Sequence, residues 1–351
     1  MIALIMAGGF GTRFWPQSRT RMPKQFLRVA DERSMIQLSV DRLLPIIPIT
    51  DIYVVTAADQ AELVRRHLPS LPTENIIMEP FGMNTAPCIA LSVQYLKARY
   101  SQNTPMLVLP ADHVIRDDEA FRGHLKTASR AALAGDLITF GIMPDYPATG
   151  YGYIEAGKTV SDDCREVIRF KEKPDRATAE GFLEKGGFFW NSGIFAWSID
   201  SILKAFDRHA PEISKLCAQI DALWQRHGYG ADISPIYSMM PRIPIDIGIM
   251  EKATNRVVIP VDIGWTDVGS FKALSEICPR DENLNSSISE LFALDSKGNF
   301  IRSDKFVALI GMDDICLIET PDAILLAPKD RAEDVKKVVD WLRQEDRKDL
   351  L

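Results

Sequence analysis

The sequence predicts an α/β chain with a doubly wound, mostly parallel sheet, followed by a small β-rich module and a covering helix. Three observations predict it. Apolar runs of strand length alternate with helix-periodic stretches from Ile2 to Gly141, the pattern of a parallel sheet covered on both faces. A Gly/Tyr- and aromatic-rich region follows, up to about residue 284. From Asn285 onward, short strand-like runs alternate with Gly/Asp turns and end in an amphipathic stretch. The expected division is residues 1–284 and 285–351.

The chain's 351 residues can bury a full α/β core and a second module. With 46% apolar and 25% charged residues, the composition is ordinary for a globular protein. A net charge of −7 argues against a nucleic-acid or anionic membrane partner. Any phosphate site must therefore be a local basic pocket. The cysteines (Cys88, Cys164, Cys217, Cys278, Cys316) are odd in number and lack C-x-x-C spacing. They read as reduced thiols of a cytoplasmic protein. The N-terminal apolar run lacks a basic flank and is too short to span a bilayer, so it reads as a core strand.

Taken in order, Ile2–Met6 is a strand and Ser34–Leu44 a helix before the Pro45 and Pro48 breakers. Asp51–Thr56 is a β-branched strand and Asp59–Leu68 a helix. Asn75–Met78 is a strand, with a helix through Ile89, Leu91, Val93 and Leu96. Met106–Leu109 is an apolar strand, Ala120–Ala134 a helix and Leu137–Gly141 the next strand. Ligands of such sheets bind beyond the carboxyl ends of the strands. The loops after Met6, Met78 and Leu109 then share one crevice.

The second half carries Gly150 and Gly152 in a Gly/Tyr segment, then Phe170-Lys171-Glu172-Lys173-Pro174. An aromatic strand, Phe188–Trp197, holds one amide, Asn191. Helices are expected over Ile199–Phe206 and Ala210–Trp224. In the tail, strands are expected at Phe300–Arg302, Phe306–Ile310, Ile315–Glu319 and Ala323–Ala327. A final helix starts at Asp330, with Glu333 completing a capping box. Nothing in the tail looks chemical.

The chemistry begins directly after the first strand. Ala7, Gly8, Gly9 and Gly11 leave the backbone almost without side chains, so an anion can approach main-chain N–H groups. Arg13 and Lys24 supply two cations to the same loop. A P-loop would need a Lys-Ser or Lys-Thr after its last glycine, which is missing. A dinucleotide fingerprint would need a third glycine where Phe14 stands, although Asp31 lies at the distance of its ribose-binding acid. The pattern G-G-x-G-T-R-x-x-P, followed by Pro23-Lys24-Gln25, instead resembles the sugar-phosphate nucleotidylyltransferase signature. Its continuation, Phe14-Trp15-Pro16-Gln17-Ser18-Arg19, is most similar to the mannose-1-phosphate guanylyltransferase family.

The resemblance covers nearly the whole chain, including Thr320-Pro321-Asp322-Ala323. It implies a Rossmann-like nucleotide-diphospho-sugar transferase domain over 1–284 and a β-helix-like module over 285–351. The implied reaction joins GTP and α-D-mannose 1-phosphate into GDP-mannose and pyrophosphate. Ala7, Gly8, Gly9, Gly11, Thr12, Arg13 and Lys24 would cradle the triphosphate. Asp112 and Asp267 would hold Mg²⁺, with Mn²⁺ as a substitute. Each also reads as a turn former or helix cap. Glu79, Asn84 and Thr85 would bind the nucleotide, Asn84-Thr85 being equally a helix cap. Gly150, Gly152, Glu172, Asn191 and Asp267 would face the sugar, with Lys173 beside its phosphate. Asp246 would stand behind them. Lys171 replaces an apolar residue of the family pattern, which leaves that strand's second face open to solvent.

Arg13, Lys24 and Lys173 are thus the expected catalytic residues. A homodimer through the C-terminal module is expected. Some relatives fuse a phosphomannose isomerase domain beyond this point, for which a chain ending at Leu351 has no room. A heptose 1-phosphate is the alternative substrate. An NAD-dependent oxidoreductase and a non-catalytic nucleotide-sugar sensor are the other classes weighed.

Overall fold

In the computed structural model, which describes residues 1–9, 11–29, 31–161 and 163–351, the opening apolar run forms strand β1 (Ile2–Met6). Phe10, within the expected phosphate loop, lies outside the described residues. After α1 (Met35–Asp41), β2 (Ile52–Ala57) pairs with β1 in parallel. Then come α2 (Ala61–His67), β3 (Ile76–Glu79), α3 (Thr85–Leu96) and β4 (Pro105–Pro110), which flanks β1 on its other side. All six residues of β2 are buried, as a strand covered on both faces requires. The side chain of Asp117 accepts the Ala120 N–H at 2.8 Å and starts α4 (Asp118–Leu133), which leads into β5 (Leu137–Ile142).

The hairpin β6 (Tyr153–Ser161) and β7 (Cys164–Lys171) precedes α5 (Arg176–Lys185) and the long β8 (Phe188–Ser198). Helices α6 (Ile199–His209), α7 (Pro211–His227) and α8 (Ser234–Tyr237) follow, then a π-helical turn Asp246–Met250 and β9 (Arg256–Val261). The strands form one nine-stranded sheet in the order β3-β2-β1-β4-β8-β5-β9-β7-β6. The parallel pairs are β3-β2-β1-β4 and β5-β9. The hairpin and β8 add antiparallel pairings, so the sheet is mixed where its second half joins. Lys171 is exposed, as expected of the open second face of β7. These strands belong to a compact unit made of Met1–Gly8, Val40–Ala111 and Ile115–Trp265. Its core packs Phe195, Trp197, Ile213 and Tyr237 with the buried faces of α3, α6 and α7.

A second compact unit gathers three separate segments, Gly9–Ser39, Asp112–Val114 and Thr266–Leu351. It holds α9 (Phe271–Ile277) and the short strands β10 (Ser286–Ser287), β11 (Leu291–Leu294), β12 (Phe300–Arg302), β13 (Val307–Ile310), β14 (Ile315–Glu319) and β15 (Ile324–Pro328). Strands β10-β12-β14 run parallel, closed by antiparallel β15, and β11 pairs in parallel with β13. Phe300 faces Cys316 and Leu291 faces Val307, so each chain coil stacks on the last in a β-helix-like manner. Buried Asn285 and Asn299 lock two coils, the Asn299 amide donating to Asn285 Oδ1 at 3.0 Å and to the Met312 carbonyl at 2.7 Å.

The last helix, α10, spans Val335–Gln344. The expected capping box from Asp330 and Glu333 does not form: Lys329–Asp334 is a 3₁₀ segment that brings the chain in from β15. The α-helix therefore starts about a turn late, and Asp334 pairs instead with Arg331 and Lys337. The apolar stripe Val335, Val339 and Leu342 packs onto Phe14, Trp15 and Phe271 in one core. Trp15 Nε1 donates to the Leu350 carbonyl at 2.8 Å, and Arg19 pairs with Asp322 at 2.7 Å. The opening loop and the C-terminal module thus share one interior. Among the described residues, no helix is long and apolar enough to cross a membrane.

Phe271 is fully buried with its ring 4.9 Å from Phe14 and 6.3 Å from Phe300. Phe271→Ala should destabilise this unit by about 3–5 kcal/mol, read as an earlier transition in urea followed by tryptophan fluorescence and circular dichroism. A loss well under 1 kcal/mol would show that the ring does not anchor the core.

Candidate active site

The turn after β1 is built by close approach. Gly11 has φ +60, and a Cβ there would stand 2.2 Å from Lys24 Cβ, so only glycine permits this packing. Ser18 Oγ donates to the Gly11 carbonyl at 2.6 Å and holds the turn. Thr12–Phe14 then form a 3₁₀ turn, with Phe14 buried and Thr12 and Arg13 at the surface of a cavity. The cavity encloses about 340 Å³, and Gly11, Lys24, Asp112 and Asp267 also line it. Phe14, His113, Gly269 and Lys336 complete the lining. All belong to the second unit.

Lys24 is the hub of this cluster. Its side chain is 6% exposed. Its amine donates to Asp112 Oδ2 at 2.9 Å, to the Asp112 carbonyl at 3.1 Å and to the Asp267 carbonyl at 2.7 Å. An ammonium has three donors, and all three are met. Burial alone would raise the Asp112 carboxyl, but the charges of Lys24 and His113 and the Lys24 hydrogen bond outweigh it. Asp112 is held below its usual range and ionised. Asp267 Oδ1 accepts the Gly269 N–H at 3.0 Å. Between them Val268, fully buried, adopts φ +44. A β-branched residue in that region is strained by about 1–3 kcal/mol. Burial of its side chain in the Phe14–Phe271 core holds it there. Two aspartates with hard oxygen donors in one cavity fit a divalent cation that takes its remaining ligands from phosphate and water.

The sugar-type residues form another cluster, within the first unit. A Cβ on Gly152 would stand 2.7 Å from Glu172 Oε2 and 3.5 Å from Asn191 Cβ, so Gly152 lets these two side chains converge. Asn191 donates its backbone N–H to the Gly152 carbonyl at 2.8 Å. Its side-chain amide is oriented from both ends: Thr139 Oγ1 donates to Oδ1 at 3.0 Å, and Nδ2 donates to Asp246 Oδ1 at 2.7 Å. Asp246 thus stands behind Asn191 as the sequence suggests, while Thr139 carries no sequence signal. Lys173 adopts φ +40 and pairs with Glu172 at 2.8 Å. Gly150 is exposed with open space around it.

The expected nucleotide residues divide. Ala7 spends its backbone on the sheet, its N–H on Val55 and its carbonyl on Thr56 Oγ1. Gly8 ends the first unit and Gly9 begins the second. Gly9 has φ +90, and its carbonyl accepts from Gln25 Nε2 at 3.3 Å. Asn84 is the N-cap of α3, accepting the Thr85 N–H at 2.8 Å, and Thr85 Oγ1 accepts the Ile245 N–H at 2.8 Å. The helix-cap reading describes what Asn84 does here. Glu79 is 3% exposed and takes the Tyr237 hydroxyl. Burial pushes it above the usual range against hydrogen bonds from Tyr237 and Cys88. His113 and Lys336 also line the cavity, and neither has a motif around it.

Burial pushes the Asp246 carboxyl up to about 6, with the Glu172 charge adding to it against its hydrogen bonds. A raised acid holds its proton more tightly folded than unfolded. Stability therefore falls as pH rises from about 4 through about 6, and stays lower above. Asp246→Asn keeps an acceptor for Asn191 and removes the titration. It should melt above the native chain at about pH 7.5, by on the order of 2–4 °C, and equal to it near pH 4. The same difference at both pH values would show that Asp246 does not titrate in this window.

The geometry has counterparts among known proteins. The Nucleotidyl transferase family model matches residues 2–283, and the MannoseP isomerase/GMP-like beta-helix domain model matches residues 289–342. Mannose-1-phosphate guanylyltransferase of Klebsiella pneumoniae is 39% identical over 355 residues, 99% of this chain and 75% of that protein. Xanthan biosynthesis protein XanB of Xanthomonas campestris is 37% identical over 98% of this chain and 73% of its own. A crystal structure from Thermus thermophilus, described as a mannose-1-phosphate geranyltransferase, superposes with a TM-score of 0.89 at 33% identity, covering 97% of this chain and 99% of that one. Mannose-6-phosphate isomerase from Helicobacter pylori follows at a TM-score of 0.61 and 25% identity, covering 76% and 100%. With the nucleotidyl transferase model spanning most of its length, and relatives at this identity matching nearly all of it, the chain belongs to the nucleotidyl transferase family, among the mannose-1-phosphate guanylyltransferases.

Proposed function

We propose that this chain transfers the guanylyl group of GTP to α-D-mannose 1-phosphate, giving GDP-mannose and pyrophosphate. The observation that carries the reading is the Lys24 amine, buried between Asp112 and Asp267 in a cavity rimmed by Gly11, Thr12 and Arg13. A sugar-phosphate oxygen attacks the α-phosphorus of GTP, a new P–O bond forms, and the bond to the β-phosphate breaks. The nucleophile is already largely ionised at neutral pH, its second pKa being about 6, so no general base is required. The chain's task is alignment and charge neutralisation.

In this reading the backbone groups of Gly8, Gly9 and Gly11, with Thr12, receive the triphosphate and Arg13 meets the departing pyrophosphate. Lys24 exchanges one of its three contacts for the α-phosphate while keeping the two aspartates in place. Nucleotidyl transferases of this family use a divalent metal ion. Asp112 and Asp267 would hold it here, as Mg²⁺ or its substitute Mn²⁺. When bound, it offsets negative charge on the reacting phosphates. Glu172, Asn191 and the backbone at Gly150 and Gly152 read the sugar hydroxyls, and Lys173 meets the sugar phosphate. Asn84 and Thr85 bind the nucleotide as a capped helix start, with Glu79 buried behind them. Residues 1–284 form the catalytic part and 285–351 the β-rich module. A cytoplasmic location agrees with cysteines that are all free thiols among the described residues.

Phe292, Leu294 and Ile310 are exposed and share one face of the β11–β13 pair, where Phe292 faces Ala308 and Leu294 faces Ile310. A contiguous apolar face of this kind supports pairing of two chains through the module.

Asp112→Asn and Asp267→Asn should each lower metal-dependent pyrophosphate release from GTP and mannose 1-phosphate by more than about 100-fold with the fold retained by circular dichroism, Asp112→Asn alone melting lower because it removes the counter-charge of buried Lys24. Near-native turnover in Asp112→Asn would remove it from the metal site. Lys24→Ala should cost about 2.7–4 kcal/mol in the transition state. A panel of nucleotides against sugar 1-phosphates, a heptose included, should show highest turnover with GTP and mannose 1-phosphate; a better pair would replace the substrates named here. In sedimentation the native chain should run at twice its 39.3 kDa, and a Phe292→Asp/Ile310→Asp variant at the single mass. A monomeric native chain would dismiss the dimer.

A further inference from the structure

We infer that Lys336, carried by the C-terminal covering helix, is a phosphate-binding residue of the nucleotide cavity and takes the pyrophosphate part of GTP beside Arg13. The inference rests on the nucleotide reading of the cavity and deepens it. Lys336 lines the same cavity as Gly11, Arg13, Lys24, Asp112 and Asp267, although more than 300 residues separate it from the loop. Its placement is fixed by packing. Val335 and Val339 are buried in the core that contains Phe14 and Trp15, and they hold the first turn of α10 against the Thr12–Phe14 turn. Lys336 follows directly on buried Val335, is itself exposed, and so contributes to the cavity wall.

Charge supplies the second line of argument. Lys24 is already committed to Asp112 and to two carbonyls. Among the described residues that line the cavity, Arg13 and Lys336 are the cations left to meet a bound polyanion, because neither holds an ion pair. The adjacent Lys337 behaves differently: it pairs with Asp334 at 2.7 Å and does not line the cavity. Two neighbouring lysines on one exposed turn thus have different surroundings. The reading gives the pyrophosphate to Arg13, and Lys336 reaches the cavity from the helix packed on the Arg13 turn. The terminal phosphates are therefore its ligand, and the sugar phosphate is not.

The test compares Lys336→Ala, Lys336→Arg, Lys337→Ala and Lys24→Ala. It reads pyrophosphate-release kinetics and equilibrium binding of GTP, GMP and inorganic pyrophosphate with Mg²⁺. Lys336→Ala should raise the KM for GTP and weaken inorganic pyrophosphate about tenfold, the scale of one charge-assisted hydrogen bond. GMP binding and the KM for mannose 1-phosphate should stay native. Lys336→Arg should recover most of the loss, and Lys337→Ala should match the native chain. Native GTP and pyrophosphate affinity in Lys336→Ala, with Lys24→Ala impaired, would overturn the role of Lys336 alone. Native values in both would overturn the nucleotide reading of the cavity as well. Equal loss in Lys336→Ala and Lys337→Ala would mark a general charge effect and overturn the specific contact.

Discussion

The second unit is organised by one ammonium group. Lys24 Nζ lies inside the protein, and a buried charge is tolerated only when every donor finds an acceptor. Its acceptors come from residues 112 and 267, so three stretches remote in sequence are fixed to one point. Gly11 is the corollary, since a side chain there would collide with Lys24 itself. The Phe14 ring lies under the amine, its centroid 5.4 Å away, and joins the core that also buries Phe271, Val335 and Val339. Charge geometry and apolar packing thus depend on the same few residues. Substitutions in the core should move the carboxylates as surely as substitutions beside them.

The sugar-type cluster of the first unit follows a related logic with neutral groups. Asn191 does not choose its own orientation: Thr139 supplies a donor on one side and Asp246 an acceptor on the other. In the proposed reading, the second amide hydrogen of Asn191 and the Glu172 carboxylate, which Lys173 pairs at 2.8 Å, face the sugar hydroxyls. Each cluster also holds a non-glycine residue in left-handed geometry, Val268 beside Asp267 and Lys173 beside Glu172. Backbone held in such conformations is kept by its surroundings. In both cases it sits next to an acid assigned to ligand binding, which is where preorganisation counts.

Much of this was legible in the sequence because it depends on local rules. The apolar runs marked β1, β2 and β4, and the glycines marked the turn that brings Gly11 onto Lys24. Glu172, Asn191 and Gly152 were visible as chemistry out of place in strand-like or aromatic surroundings. What was not legible depends on pairing and packing at long range. The antiparallel insertion of β8 between β4 and β5 leaves no local pattern. Glu79 reads as a crevice acid, and only the fold shows Tyr237 capping it from a distant helix. Thr139 looks like one more β-branched strand residue. Lys336 sits in an ordinary Lys-Lys pair, and only the fold puts it on the cavity wall while Lys337 pairs with Asp334. The tail's capping box failed for a similar reason: the way the chain leaves β15 decided where the helix could begin.

Family models divide the chain near residue 285, whereas the compact unit that holds the β-rich coils also contains Gly9–Ser39 and Asp112–Val114. The module is therefore not a cassette. Its interior is completed by Phe14 and Trp15 from the opposite end of the chain, and Trp15 and Arg19 tie it down further through Leu350 and Asp322. Exchange of the C-terminal segment between relatives would transplant half an interface. A chimera keeps its active loop in order only when the donor's ring positions match the recipient's Phe14, Trp15 and Phe271. The two ends of the chain are therefore bound to vary together, because each supplies part of the same core.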